Sequence, residues 1–213
     1  MEFVADRDRN PFDMKPPCER YVPGYGASGA DFHIVGDHPG VHGGLSTGIP
    51  FTDMPWSERF FDALVEAELL AAADLSEGRV NSYLTYFSYL HMCEPDEETP
   101  TPESYAELEP FFDAELRAIT AHVLLPVGPV ATEHVLAEYT ATDADRAADM
   151  DDLHARDLRG SGWLICPIKE PADWTDDDET ELIGALDAVR NSDYRQISDL
   201  GRFLPDDDPY FVR

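Results

Sequence analysis

One stretch of the chain constrains its fold more than any other. It runs from residue 31 to residue 51 and reads DFHIVGDHPGVHGGLSTGIPF. Residues 31–35 form a short apolar run that predicts a buried strand, and the Gly/Pro segment that follows ends it. In α/β folds, ligands bind beyond the carboxyl end of such strands, where Asp37 and His38 are the first titratable groups. A tight structural turn after the strand is the alternative interpretation.

Strands and helices alternate along the chain, and this alternation predicts an α/β fold. The predicted strands are residues 31–35, 80–89, 122–127 and 163–168, and the predicted helices are residues 56–73, 103–120, 129–139 and 175–190. We therefore expect three layers (α/β/α) around a central, mostly parallel four-stranded sheet. The polar segment 141–159 fits either a strand or a loop.

The length of 213 residues and the hydrophobic fraction of 43% suit one domain with a full core. Residues 1–30 are rich in proline and glycine and predict an extended arm. We expect the α/β/α domain over residues 31–192 and a tail packed on it over residues 193–213.

The charge is strongly acidic, with 44 acidic and 15 basic residues and a net charge of -29. The acids are scattered through segments with apolar periodicity, so an acidic disordered tail does not explain them. Repulsion of nucleic acid is a second explanation. A cytoplasm rich in salt is the third and fits best, because the chain has only two lysines, Lys15 and Lys169. At molar salt the Debye length is about 3 Å, so the net charge then says little about partners.

The three cysteines, Cys18, Cys93 and Cys166, form no CxxC pair and no metal-binding spacing. An odd number of cysteines favours a reducing cytoplasm. The N-terminal residues lack a basic start and an apolar core, so we expect no targeting segment. No apolar run reaches the roughly 18 residues of a transmembrane helix.

Four segments of the chain follow one another in a characteristic order. They are GDHPG at 36–40, GIPF at 48–51, SYLHMCEP at 88–95 and KEP at 169–171. The third segment is followed by a helix that opens with Thr-Pro, then by a strand and a glycine, and the fourth segment follows the last predicted strand. Their order and spacing resemble the uracil-DNA glycosylase superfamily, closest to its bacterial and archaeal family 4 type. The resemblance covers roughly residues 18–190.

This resemblance implies a uracil-DNA glycosylase-like fold that hydrolyses the bond between the sugar and uracil, or another damaged base, in DNA. It places Asp37 where the family has a polar residue that positions water or reads the base, and Phe51 where an aromatic ring stacks on the flipped base. Lys169 or His38 would assist the departing base. The other substrate-binding residues that the matching motifs imply are Gly36, Pro39, Gly40, Tyr89 and Glu170.

Each of the main candidates also has a purely structural explanation. Asp37 would cap the turn that follows it, and Phe51 would pack in the core. His38 would face solvent from a turn. Lys169 would pair with a nearby acid at the surface.

The chain departs from the family's motifs at several positions. Tyr89 stands where the family reads uracil with an asparagine, and Glu170 stands where a histidine supports the leaving base. Residues 41–44 replace the acids that follow the first motif. Many family 4 enzymes hold an iron–sulfur cluster on four cysteines, of which only Cys18 and Cys93 have counterparts, so we predict no cofactor.

Two functions from different classes follow. The first is a monomeric DNA glycosylase of base excision repair that acts on single- or double-stranded DNA. The second is an inactive or repurposed member that binds nucleic acid or a base-like ligand. The GDHPG and GIPF motifs favour the first, whereas Tyr89 and Glu170 favour the second. A hydrolase of free nucleosides is a third, weaker hypothesis.

Overall fold

The computed structural model describes residues 8–201, with side chains described through residue 198. The chain divides into two compact units, Met1–Ala121 and His122–Arg213. Within the described residues, no helix is both long enough and apolar enough to cross a membrane.

The described part of the first unit contains five strands and three helices. They are β1 (Tyr25–Gly26), β2 (Phe32–Gly36), α1 (Pro39–His42), α2 (Ser57–Glu66), β3 (Ala72–Asp74), β4 (Arg79–Asn81), β5 (Thr85–Tyr89) and α3 (Pro102–Ile119). β5 pairs in parallel with β2 and antiparallel with β1, while β3 and β4 form a separate hairpin. Every residue of β2 and β5 is buried, as expected for parallel strands at the centre of an α/β fold.

The parallel register brings the carboxyl ends of β2 and β5 together. Gly36 lies opposite Tyr89, and the backbone pairing continues one step further, from the His91 amide to the Asp37 carbonyl at 3.0 Å. The loops that follow the two strands therefore leave the sheet at the same edge, which is the edge predicted to bear the site.

The region between α2 and β5 differs from the prediction. α2 ends at Glu66, well before residue 73, because Glu68 adopts a left-handed conformation with φ of 55°. Leu69 and Leu70 extended the apolar periodicity of the helix, but they are buried outside it. The predicted strand 80–89 is two strands, β4 and β5.

α3 matches its prediction to within one residue at each end. The Thr101 hydroxyl accepts a hydrogen bond from the Ser104 amide at 3.2 Å, and Pro102 occupies the first turn, where it loses no helical hydrogen bond. Thr120 ends the helix in a left-handed conformation with φ of 51°.

The proline- and glycine-rich segment adds an edge strand to the first unit. β1 lies within it, and the Val22 amide donates to the Met92 carbonyl at 2.8 Å. A disulfide joins Cys18 to Cys93, with their Cα atoms 6.2 Å apart. This bond departs from the expectation of reduced thiols, because two cysteines 75 residues apart in sequence meet where the segment crosses the end of β5.

Up to residue 201, the second unit contains three paired strands and four helices. They are β6 (Val123–Pro126), α4 (Gly128–Tyr139), α5 (Met150–Leu153), β7 (Leu158–Arg159), β8 (Leu164–Ile165), α6 (Asp176–Arg190) and α7 (Tyr194–Gly201). β8 pairs in parallel with β6 and antiparallel with β7. The ambiguous segment 141–159 holds a 3-10 turn, α5 and β7.

The predicted α/β fold with mostly parallel strands is confirmed, but the count of four strands was too low. Besides the hairpin, the structure adds β1 and β7, which have two residues each and are antiparallel to their neighbours. Two-residue strands are too short to show a periodic pattern. Part of the predicted C-terminal tail forms α7, and residues 202–213 lie outside the described part of the chain.

Candidate active site

The candidate site lies at the carboxyl end of β2 and β5 in the first unit. Gly36 is the last residue of β2, and a Cβ at this position would lie 2.7 Å from the Phe51 ring and 2.8 Å from both His42 Nδ1 and the Tyr89 ring. Only glycine allows these three side chains to approach the backbone so closely. The glycine of the first motif therefore packs the site together from within.

Asp37 follows directly, and its carboxylate has two distinct environments. The Tyr105 hydroxyl, from the first turn of α3, donates a short hydrogen bond to Oδ1. Oδ2 lies 3.7 Å from His38 Nε2. The residue is 7% exposed, so the carboxylate is sheltered from solvent but not completely enclosed. Burial, and then the hydrogen bond to Asp37, raise the pKa of Tyr105, which keeps its hydroxyl protonated as a donor.

His38 is buried and does not face solvent as the structural alternative supposed. Its Nδ1 accepts a hydrogen bond from the Gly40 amide at 3.1 Å, so the ring proton lies on Nε2, toward Asp37. Burial lowers the pKa of His38, against the attraction of the neighbouring carboxylate. A neutral histidine therefore presents an N–H beside an acid. Pro39 begins α1 directly after it.

Two further histidines in this region were not among the predicted site residues. His42 Nδ1 accepts a hydrogen bond from the Asp37 amide at 3.0 Å, which fixes the backbone of the acid. His91 Nδ1 donates to the Cys93 carbonyl at 3.0 Å, and its Nε2 accepts from the Ser104 hydroxyl at 2.6 Å. Burial lowers the pKa of His91. The sequence signal for both was slight, since each is a single histidine in a loop or short helix.

Phe51 lies beside the site with its ring fully buried. Its ring centroid is 5.2 Å from that of His42, 5.1 Å from that of Phe60 and 5.4 Å from that of Tyr89. Its backbone is left-handed, with φ of 67°, a conformation that is costly for a bulky residue. In this structure Phe51 is a packing residue, and its stacking on a base remains a prediction.

The Tyr89 hydroxyl fastens the Phe51 turn to the end of β5. It accepts from the Phe51 amide at 2.7 Å and lies 3.0 Å from the His42 carbonyl, to which it donates. Both its donor and one acceptor position are thus engaged within the protein. A direct role of Tyr89 in reading a base remains a prediction.

Lys169 and Glu170 lie in the second unit, in the loop after β8. Lys169 Nζ pairs with Asp151 at 2.6 Å and Asp178 at 3.5 Å, and the hydrogen bond that it donates to Asp151 is the main cause that raises the pKa of the lysine. The pairing with acids agrees with the structural alternative. Glu170 precedes a 3-10 turn at Pro171–Asp173.

A buried histidine holds this loop in place. His154 Nδ1 accepts from the Lys169 amide at 2.9 Å, and its Nε2 donates to the Asp178 carbonyl at 2.8 Å. The Trp174 indole donates to the Lys169 carbonyl at 2.8 Å. Both ring nitrogens of His154 are therefore used in positioning the loop, which was not foreseen from sequence.

The residues present do not fit a four-cysteine iron–sulfur cluster. Cys18 and Cys93 are bonded to each other, and they pack against the apolar side chains of Met92, Leu108 and Phe111. Cys166 is buried in the second unit. Among the described residues, no group of three or more His, Cys, Asp or Glu side chains would hold a metal ion. That the protein carries no cofactor stays a prediction, which analysis for iron and sulfide would test.

Together these features define a class: an α/β protein with a sheltered carboxylate at the carboxyl end of two parallel strands. Residues 23–179 match the model of the family described as the uracil DNA glycosylase superfamily. The match covers most of the chain, from before β1 into α6, and the chain belongs to this superfamily.

Several curated relatives are named type-5 uracil-DNA glycosylase. The protein from Thermus thermophilus is 31% identical over 140 residues, which are 65% of this chain and 64% of that protein. The Mycobacterium bovis protein is 29% identical over 125 residues, 57% of this chain and 46% of that protein. The Mycobacterium leprae protein is 29% identical over 140 residues, 63% of this chain and 61% of that protein. The chain thus spans less than two thirds of the length of each, and these names do not confirm the family 4 type.

Proposed function

We propose that the protein is a DNA glycosylase that hydrolyses the N-glycosidic bond of uracil, or of another damaged base, in base excision repair. Membership of the superfamily and the names of the relatives support this proposal. The observation that carries it is the Asp37 carboxylate, sheltered at the edge of the sheet with one oxygen held by Tyr105 and the other near His38.

In the proposed reaction, Asp37 Oδ2 orients a water molecule toward C1′ of the deoxyribose. The water oxygen bonds to C1′ while the bond from C1′ to the base nitrogen breaks, and the electron pair leaves with the base. The water proton passes to the Asp37 carboxylate. The same negative charge stabilises the positive charge that develops on the sugar, which is the larger effect in a sheltered site.

The proposal assigns the remaining predicted residues to the base. Either His38, which presents a neutral N–H, or the charged Lys169 would stabilise the departing anion. Phe51 would stack on the base and Tyr89 and Glu170 would contact it, with Gly36, Pro39 and Gly40 shaping the loop. Stacking on Phe51 requires movement of its turn, because the ring is 0% exposed here.

The same proposal includes the setting of the reaction. The substrate is single- or double-stranded DNA, and the protein acts as a monomer, without cofactor, in the cytoplasm of a salt-accumulating archaeon, as a family 4-like enzyme. The net charge of -29 supports the salt requirement, because an acidic protein approaches DNA only when salt screens their repulsion.

Base excision at molar KCl tests the proposal. Purified protein would be incubated with single- and double-stranded oligonucleotides that carry one uracil, hypoxanthine or xanthine, and then treated with alkali. We expect strand cleavage at the modified base, and its loss in Asp37→Ala. Folding of both proteins would be checked by circular dichroism in the same buffer. A folded wild-type protein that cleaves none of these substrates would contradict the proposal.

The enclosed Phe51 ring and the engaged Tyr89 hydroxyl favour a second candidate function. A member that no longer excises bases would bind nucleic acid or a base-like ligand. Binding of the same oligonucleotides, without cleavage and without dependence on Asp37, would identify this function.

A further inference from the structure

The first turn of α3 carries a residue that touches the candidate catalytic acid. Thr101 caps the helix, and the Tyr105 amide donates to the Thr101 carbonyl at 3.0 Å, so Tyr105 lies at a defined position in that turn. From there its hydroxyl reaches Asp37, which is 68 residues earlier in the chain. Tyr105 was not among the predicted site residues.

We propose that Tyr105 is a positioning residue for the reaction: its hydroxyl holds Asp37 Oδ1, so that Oδ2 is the oxygen that faces the water and the sugar. This inference rests on the proposed function. In an aspartate without such a bond, the carboxylate rotates about the bond between Cβ and Cγ, so the direction of its oxygens is not fixed. A hydrogen bond to one oxygen selects one orientation, and a charged acceptor makes that bond strong.

The ring of Tyr105 is itself held in place. The His91 ring lies edge-to-face against it, with centroids 5.5 Å apart. The same histidine accepts a hydrogen bond from Ser104, the neighbour of Tyr105 in α3, and its amide donates to the Asp37 carbonyl at 3.0 Å. One histidine therefore connects the helix turn that carries the donor to the backbone of the acid.

The hydroxyl remains a donor under all conditions in which the protein would act. Burial and the adjacent Asp37 carboxylate raise the pKa of Tyr105, and both effects oppose the formation of a phenolate. The hydroxyl proton thus stays on Tyr105, between the two oxygens, where its hydrogen bond fixes the orientation of the Asp37 carboxylate.

A second tyrosine–carboxyl pair in the same unit provides a matched control. The Tyr86 hydroxyl donates to Glu115 Oε1 at 2.9 Å, and both residues are fully enclosed. Tyr86 contacts neither Asp37 nor His38 in any described interaction. Tyr86→Phe and Tyr105→Phe therefore remove the same chemical bond from two places, only one of which is the candidate site.

The experiment compares single-turnover excision by the wild-type protein, Tyr105→Phe and Tyr86→Phe at molar KCl. It also measures the affinity of each for the same uracil-containing DNA. For Tyr105→Phe we expect the rate to fall roughly tenfold to a hundredfold, the effect of one hydrogen bond to a charged group. Its dissociation constant should change less than about twofold, because the hydrogen bond is made to Oδ1, the oxygen that does not face the substrate in this proposal. Tyr86→Phe should keep the wild-type rate.

The outcomes separate this inference from the function on which it rests. An active wild-type protein whose rate is unchanged in Tyr105→Phe would overturn the positioning role alone. Equal losses of rate in Tyr105→Phe and Tyr86→Phe, together with lower melting temperatures, would also overturn it, since they would indicate a general structural effect. A folded wild-type protein without excision would overturn the proposed function, and the positioning role with it.

Discussion

Two carboxyl groups of the first unit accept a hydrogen bond from a tyrosine, yet their surroundings differ. Asp37 lies at the carboxyl end of β2, is 7% exposed and has His38 beside its second oxygen. Glu115 lies inside α3, is 0% exposed, and its Oε2 has no hydrogen-bond partner among the described residues. The donor group is the same in both pairs, whereas the two acids differ in their exposure to solvent and in their neighbours.

The difference shows why one pair is suited to a reaction and the other to the core. Burial raises the pKa of Glu115 to about 7, even though the Tyr86 hydroxyl and the Gly24 amide both stabilise its charge. A carboxyl that nothing can approach contributes only to stability. Asp37 keeps a small exposed fraction, through which water would reach it in the proposed reaction.

The largest expected effect is the loss of activity when Asp37, the acid at the candidate site, is changed. Asp37→Asn keeps the size of the side chain and removes its charge, so we expect excision to fall by about 100-fold or more. Glu115→Gln is the matched change in the enclosed pair and should leave the rate per folded molecule unaltered. Single-turnover assays of both variants would check this, and equal rates for the two would contradict the comparison.

The fully buried pair of Tyr86 and Glu115 should instead govern how the stability of the protein depends on pH. Because the pKa of Glu115 is raised from 4.5 to about 7 on folding, its contribution is complete below about pH 4.5 and is lost as pH rises to about 7. The loss amounts to about 3 kcal/mol in the free energy of unfolding. Urea unfolding at a series of pH values would show this slope in the wild-type protein. Glu115→Gln should lack that part of the slope, and a variant with the same slope would refute the assignment.

A glycine lies beside each of the two tyrosine–carboxyl pairs, and its replacement by alanine should have a smaller effect. A Cβ at Gly24 would collide with the Tyr86 hydroxyl and Glu115 Oε1, whereas a Cβ at Gly36 would meet Phe51 and His42 beside the acid. We expect Gly24→Ala to destabilise the protein by about 1–3 kcal/mol without changing the rate per folded molecule. Gly36→Ala should lower the rate as well. Unfolding curves and excision assays on the same preparations would separate the two effects.

The smallest expected effect is that of the enclosed hydrogen bond alone. Tyr86→Phe removes one donor from Glu115 while the Gly24 amide remains. We expect a loss of about 1 kcal/mol in the free energy of unfolding, measured in urea at pH 8. Because the hydrogen bond stabilises an ionised Glu115 more than a neutral one, the loss in the free energy of unfolding should be smaller at pH 5. A loss that is larger at pH 5 would contradict this picture.

Much of the fold was predictable from local patterns. The four principal strands and the helices α3, α4 and α6 were predicted from apolar runs, within a few residues of their observed positions. The end of α2 was not predictable, because Leu69 and Leu70 continue its apolar pattern although they are buried after the helix has ended. The strands β1 and β7 were too short to leave a pattern.

The sequence by itself determined where the candidate acid would lie, since a buried strand that ends at Gly36 places Asp37 at the edge of the sheet. Only the tertiary structure decided which groups surround it. The partner Tyr105 comes from a helix 68 residues away, and Phe51 proves to be enclosed by rings from three other elements. Local patterns depend on interactions between near neighbours in sequence. A site is assembled by contacts between distant segments, whose pairing is decided when the whole core packs.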